Sequence, residues 1–376
     1  MNRYLLTVDD APDSSTFITA TFESGSTGGD VRRCYAEIGQ LLQTENLLVV
    51  QERIFGVMSR YQEILAIRNE ALWAAVQPSF FEGKPMRGNN VAGILIRAVP
   101  KDAVTPIIFS GQLVGMQWQH DSDIFAILSG VWGTGATPAE ETTSLLQRAE
   151  SIIHAAGFDV SDIARTWFYL DGILDWYDDF NAARTAVYKR WKLVPEGSDA
   201  QRALRLPAST GIGVRNGYGK TAAVDILLSK RTGGAVTQLS NAGQKDAFKY
   251  GSAFSRGALL PFASGTLMEL SGTASIDETG ATVYVDDSKS QISCTMKKID
   301  ALLSPLQLSL GDLVSGTAFF RNRDDLPLLA AELAQRGLNL SELPLVCVQA
   351  HVCRDDLLFE LDGELLTKAV AKPAGS

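Results

Sequence analysis

Histidine is scarce in this chain: His120, His154 and His351 are the three in 376 residues. A metal site built on several imidazoles has too little to draw on. The four cysteines, Cys34, Cys294, Cys347 and Cys353, lack the CxxC spacing that would replace them. We therefore expect free thiols in a reducing compartment, no metal and no cofactor. Basic residues are outnumbered, 34 Lys and Arg against 43 Asp and Glu, giving a net charge of −9. Without clustered cations to release counterions from phosphates, a nucleic-acid partner is not expected. No apolar run approaches the roughly 18 residues needed to cross a bilayer. The start, "MNRYLLTVDDAPDSS", has no signal-peptide core, so the expectation is a cytoplasmic protein with no membrane partner. The stretches "GSTGG", "GTGATP" and "GIGVRNGYG" match neither GxxxxGK[ST] nor a GxGxxG between strand and helix, and GxSxG is absent. These absences argue against nucleotide binding and a serine hydrolase.

What is present is a phrase said twice. "IFAILSGVWGTG" and "LMELSGTASIDETG" are apolar, strand-like runs that end in Ser129-Gly130 and Ser271-Gly272 and open into small-residue turns. After the first, "TTSLLQRAESIIHAAG" places Leu145, Leu146, Ala149, Ile152, Ile153 and Ala156 on one helical face. "VSDIARTWFYL" reads as a strand, "WYDDFNAARTAVYKRW" as a second helix, and Pro207 introduces the strands "ASTGIGV" and "TAAVDILL". After the second, "SKSQISCTMKKIDALL", "LGDLVSGTAFF" and "DLPLLAAELAQRG" repeat the order, and Pro344 introduces "LVCVQAHV" and "DLLFELDGELL". The Ser-Gly marks lie 142 residues apart (271 − 129) and the prolines 137 (344 − 207).

A disguised copy comes first: "RYLLTVDD" with "TFITATF", the helix "DVRRCYAEIGQLL", the strand "NLLVVQERIFG", the helix "YQEILAIRNEALWAAV" and the strand "VAGILIRAVP", without a Ser-Gly phrase. The predicted fold is α+β: three tandem units over residues 1–115, 116–235 and 236–376, each a mixed sheet with two helices.

Units of this shape, with "LSG", "ARTWFYLDGILDWYDDFN" and "LPASTGIGV" in that order, resemble the RidA/YjgF superfamily, also called the L-PSP endoribonuclease family. That resemblance implies a chorismate-mutase-like fold, homotrimers with ligand clefts between subunits and, here, a trimer written as one chain. Such a pseudo-trimer would be self-contained, with a monomer as the expected state. The imine-hydrolysing members hold a substrate carboxylate with an Arg two residues after the late Pro, where this chain has Ser209 and Val346. A second branch is nearer. "HVCRDDLLFELDGE" resembles the closing segment of chorismatases, which remove pyruvate from chorismate, and "YGSAFSRG" resembles their approach to the last unit. That resemblance implies Glu360 as the acid and Cys353 as a residue shaping the outcome.

The residues themselves allow such chemistry. "RDD" reads as a turn folding the Cys353 strand back, antiparallel, on an otherwise apolar strand that carries Glu360. A desolvated carboxyl there would stay protonated and serve as an acid; the competing reading is a solvent-facing Glu on an edge strand. Cys353 is a nucleophile only with a base or cation to form thiolate, and otherwise a packing residue; His351 shares its face. A carboxylate substrate needs cations, for which Arg256, Arg165 and Arg215, with Arg53 behind them, are candidates. Tyr250 and Ser252 would add hydrogen bonds, and Tyr169 with Trp167 a ring-binding wall. Three functions follow: a chorismatase-like enzyme acting on a small unsaturated carboxylate between units, a Rid-type enamine or imine deaminase, or a catalytically silent metabolite binder.

Overall fold

The computed structural model describes residues 3–72, 76–86, 88, 90–194, 206–232, 236–239 and 253–368. The first unit runs β1 (Tyr4–Asp10), β2 (Thr16–Phe22), α1 (Gly28–Thr44), β3 (Leu47–Gly56), α2 (Tyr61–Ala71), β4 (Ser79–Glu82), β5 (Lys84–Pro85) and β6 (Val91–Pro100). The second runs β7 (Val104–Phe109), β8 (Gln112–His120), β9 (Asp123–Trp132), α3 (Pro138–Ala155), β10 (Ile163–Leu170), α4 (Ile173–Arg190), β11 (Ala208–Ile212) and β12 (Ala222–Lys230). The third runs β13 (Thr237–Leu239), β14 (Gly257–Phe262), β15 (Gly265–Ala274), α5 (Ser288–Leu303), β16 (Leu313–Phe320), α6 (Leu326–Gln335), β17 (Leu345–Gln349) and β18 (Phe359–Lys368).

Three sheets share one topology. Their orders contain β1-β2-β6-β3-β4, β8-β9-β12-β10-β11 and β14-β15-β18-β16-β17. In each, the last strand is inserted in the middle, and the pairs β3–β4, β10–β11 and β16–β17 are parallel because a helix carries the chain back between them. The helices form where expected for local reasons: α3 has Pro138 in its first turn and a Thr137–Glu140 capping box, and Leu145, Leu146, Ala149, Ile152 and Ile153 are all buried. The second sheet begins with β7 at Val104, before the start at 116 expected for the central unit.

One local expectation is overturned. The strand before Cys353 and the strand of Glu360 do not form a hairpin. β17 lies parallel to β16, and β18 lies on the other side of β16, against β15. A tight turn is the simplest link between two neighbouring apolar runs, but here α6 has already returned β17 to the far side of β16, where it meets β5 of the first unit, and the gap left for β18 is between β15 and β16.

Equivalent residues meet where the units meet. Phe55, Tyr169 and Phe319 are each the penultimate residue of their strand, β3, β10 and β16. Phe55 lies 6.5 Å from Tyr169 and 6.1 Å from Phe319, ring centroid to ring centroid, and Phe81 stacks on Tyr169. Backbone bridges Phe81–Asn216, Gly213–His351 and Val348–Pro85 tie the first unit to the second, the second to the third, and the third to the first. The largest core cluster draws residues from all three units.

Candidate functional site

The repeated Ser-Gly phrase is a β-bulge. In β15, Ser271 and Gly272 together oppose Asp362 of β18, and in β9, Ser129 and Gly130 oppose Asp225 of β12. β2 pairs with β6 without a bulge, and the Ser24-Gly25 that follows falls beyond the end of the strand at Phe22. Each bulge is closed by a hydroxyl from the preceding unit and an aspartate. At the first, Asp225 Oδ1 accepts from Gly130 N at 2.7 Å and from Ser79 Oγ at 3.1 Å, and Gln51 donates to Oδ2 at 2.9 Å. At the second, Gly272 N donates to Thr210 Oγ1 at 3.2 Å, and Thr210 donates to Asp362 Oδ2 at 2.6 Å. Arg165 Nη2 reaches Thr210 Oγ1 at 2.7 Å and Asp362 at 3.2 Å.

The two bulges differ in what lies over the glycine. A methyl group on Gly272 would collide with Glu360 Oε1, and one on Gly130 would collide with the Tyr218 hydroxyl. The strand register makes Glu360, Ala223 and Gly93 equivalent, each opposite the penultimate aromatic of its neighbour: Phe319, Tyr169 and Phe55. Only one of the three equivalent positions carries an acid.

Glu360 lines a chamber of about 30 Å³ between the second and third units. Ser209 and Gly211 of β11 and Tyr177 and Arg184 of α4 come from one side; Arg256, Gly272 and Cys353 come from the other. Arg256 and Arg184 approach the ring of Phe254, at 5.3 and 5.8 Å from its centroid. Tyr177, Cys353 and Arg354 also line a groove of about 900 Å³ along α4, so the chamber is the inner end of a larger depression.

Burial, reinforced by the charge of Asp362, pushes the Glu360 carboxyl up to about 8 against the pull of Arg165 and Arg256. A shift in that direction favours the protonated form of the side chain near neutral pH. Burial also pushes the Cys353 thiol up to about 12, with the Glu360 charge adding to it. A shift in that direction disfavours the thiolate that a nucleophile needs, and the side chain lines the chamber. His351 is exposed, and burial of its ring followed by repulsion from Arg321 lowers its pKa.

Of the residues singled out from the sequence, Glu360, Cys353 and Arg256 come together here. Arg165 and Tyr169 do not line the chamber. Arg165 is fully buried against Asp362, and Tyr169 is packed between units under Phe81. Trp167 is enclosed by the guanidiniums of Arg53 and Arg165, at 4.8 and 5.0 Å. These residues alternate along β10 as expected, but the face they share is turned to the centre, where three sheets leave no room for a ligand. Arg215 is a surface residue paired with Glu82. Tyr250 and Ser252 lie outside the described residues. Sequence reasoning missed Arg184 and Tyr177, which lie on a helix read only for its apolar face, and Thr210. It also missed β4, although Pro78 precedes it as Pro207 precedes β11.

No protein-family profile and no curated protein sequence matches this chain. A crystal structure of a chorismatase aligns over 85% of this chain and 93% of its own, with a TM-score of 0.63 and 20% identity. The fold is that of a chorismatase. Two shorter proteins, Escherichia coli TdcF with bound serine and RidA from the Antarctic bacterium Psychrobacter, each match 35% of this chain and nearly all of their own length (99% and 98%), at TM-scores of 0.29 and 0.27 and 18% identity. In the chorismatase fold of this chain, no helix among the described residues is long and apolar enough to cross a membrane, and no cluster of three or more His, Cys, Asp or Glu could hold a metal ion.

Proposed function

We propose that this protein releases pyruvate from an enolpyruvyl ether of a small unsaturated carboxylate, as a chorismatase-like enzyme with one working cleft. One observation carries the reading: a buried carboxyl at Glu360 stands at a unit boundary beside Arg256 and Arg184, while the two equivalent positions hold Ala223 and Gly93. In this reading Glu360 gives its proton to the terminal methylene carbon, whose double bond supplies the electron pair, and C2 becomes an oxocarbenium ion. Water adds to C2 and returns a proton to the Glu360 carboxylate. The hemiketal then breaks its bond to the ring oxygen, which takes a proton, giving pyruvate and a ring alcohol. Arg256 and Arg184 hold carboxylate oxygens.

The chamber of about 30 Å³ is room for about two waters. The wall formed by Tyr177, Cys353 and Arg354 therefore has to move, admitting the substrate from the α4 groove. The same smallness favours a second reading, a Rid-type hydrolase of a small enamine such as 2-aminoacrylate. Against it stands Ser209, which occupies the place of the usual carboxylate-binding Arg.

Purified protein is incubated with chorismate while pyruvate is followed, beside freshly generated 2-aminoacrylate. Pyruvate from chorismate that disappears in Glu360→Gln supports the first reading, and turnover of 2-aminoacrylate alone supports the second. Turnover of neither leaves a metabolite binder and sinks both.

A further inference from the structure

We propose that Asp362 is a positioning residue: its carboxylate, fixed across the unit boundary by Thr210 and Arg165, keeps Glu360 in its proton-donating form. The inference rests on Glu360 being the acid. Glu360 and Asp362 are two residues apart on β18 and therefore share a face. The groups facing Glu360 are Asp362 on its own strand, Arg165 from β10, Arg256 before β14, Tyr177 and Arg184 from α4, and Cys353 with Arg354 beyond β17.

Left alone, the guanidiniums would draw the proton off Glu360. Arg165 is instead engaged by Asp362 at 3.2 Å and Thr210 at 2.7 Å, both on the floor below the bulge. Burial, and the nearby Glu364, raise the Asp362 carboxyl, while Arg165, Arg53 and the Thr210 hydrogen bond favour its charged form; held by those partners it is not free to turn away, and a second negative charge two residues along the strand is disfavoured. Because Thr210 belongs to the second unit and Asp362 to the third, docking of the two units sets the acid.

The molecule contains its own control. Asp225 occupies the same register opposite the Ser129-Gly130 bulge and is held by Gln51 and Ser79 in the places of Arg165 and Thr210. Its neighbour two residues back is Ala223, so it closes a bulge and has no acid to tune. A merely structural role would make the two aspartates behave alike.

The test compares the full-length wild type, Asp362→Asn, Asp225→Asn and Thr210→Val. Pyruvate release from chorismate is followed against pH. Independently of turnover, the infrared carbonyl band of protonated Glu360, identified by its loss in Glu360→Gln, is titrated in each variant. Asp362→Asn is expected to lower the midpoint of that band, and the alkaline limb of the rate, by at least one pH unit. That shift leaves about tenfold less protonated acid above the limb. Thr210→Val, which weakens the hold on Asp362 without removing the carboxylate, is expected to shift both in the same direction by less, and it decides the matter if Asp362→Asn does not fold. Asp225→Asn is expected to leave the midpoint in place. An unmoved Glu360 band in Asp362→Asn, or in Thr210→Val where that variant decides, overturns the proposal, as does an equal shift in Asp225→Asn. If the wild type releases no pyruvate, the functional reading fails, but the infrared titration still decides whether Asp362 holds the proton on Glu360.

Discussion

Glu360 lies directly over Gly272, its Oε1 filling the space a β-carbon on that glycine would need. The bulge and the acid are thus one device: the extra residue in β15 opens the sheet, and the missing side chain lets a carboxyl from the neighbouring strand lie across it.

Gly272→Ala should displace that carboxyl. The expected result is a loss of pyruvate release of tenfold or more, with a stability cost of about 1–3 kcal/mol, typical of overpacking. Steady-state rates and denaturant melts on the same preparation separate the two effects, and an unchanged rate would place the working acid elsewhere.

Glu360→Gln should alter how stability depends on pH. The Glu360 carboxyl is raised from 4.5 to about 8 on folding. Its contribution is therefore fully present below 4.5 and is lost as pH rises through about 8. The variant, being neutral throughout, should gain on the wild type over that range. Urea midpoints at pH 5 and pH 8 check the sign.

Cys353, with its thiol pushed up to about 12, should resist alkylation in the native protein at pH 7.5. Cys353→Ala should retain pyruvate release within about tenfold, by enlarging the chamber rather than removing a nucleophile. Peptide mass spectrometry after brief iodoacetamide treatment reads the first, and rates read the second. Rapid labelling of Cys353 with total loss of turnover in the variant would restore it as a nucleophile.

Phe55→Ala should weaken the meeting point of the three units. Phe55 is 1% exposed and touches Phe81, Tyr169 and Phe319. Truncation is expected to cost about 3–5 kcal/mol, seen as a lower denaturation midpoint.

The solution mass should be near 40.6 kDa, because the boundaries between units that a trimer would bury are closed within one chain. Light scattering at several concentrations tests this, and a stable trimer of the full chain would contradict it.

Much of the fold was legible in the residues because it rests on local physics. The apolar spacing in "TTSLLQRAESIIHAAG" and "SKSQISCTMKKIDALL" specifies helix faces wherever those helices end up, whereas Ser-Gly, read as the end of a strand, is a bulge inside one, because only the partner strand decides the register. The apolar Leu357, Leu358, Phe359 and Leu361 around Glu360 left a buried and a solvent-facing side chain both open, and the central place of β18 in its sheet decided for burial. The supposed hairpin of Cys353 and Glu360 was not a safe reading, because adjacency in sequence says nothing of which gap in a sheet a strand will fill.

The sequence by itself determined most of the strand and helix segments, though not β4 or β7, the recurrence of their order, and that one late strand carries an acid in apolar company. Tertiary structure alone decided which arginines reach that acid. Arg165 and Arg256 look alike as letters, yet one is locked under the bulge by Asp362 and the other borders the chamber. The reason is physical: a charge's role depends on what lies within a few ångströms of it, and here those neighbours come from a different unit of the chain.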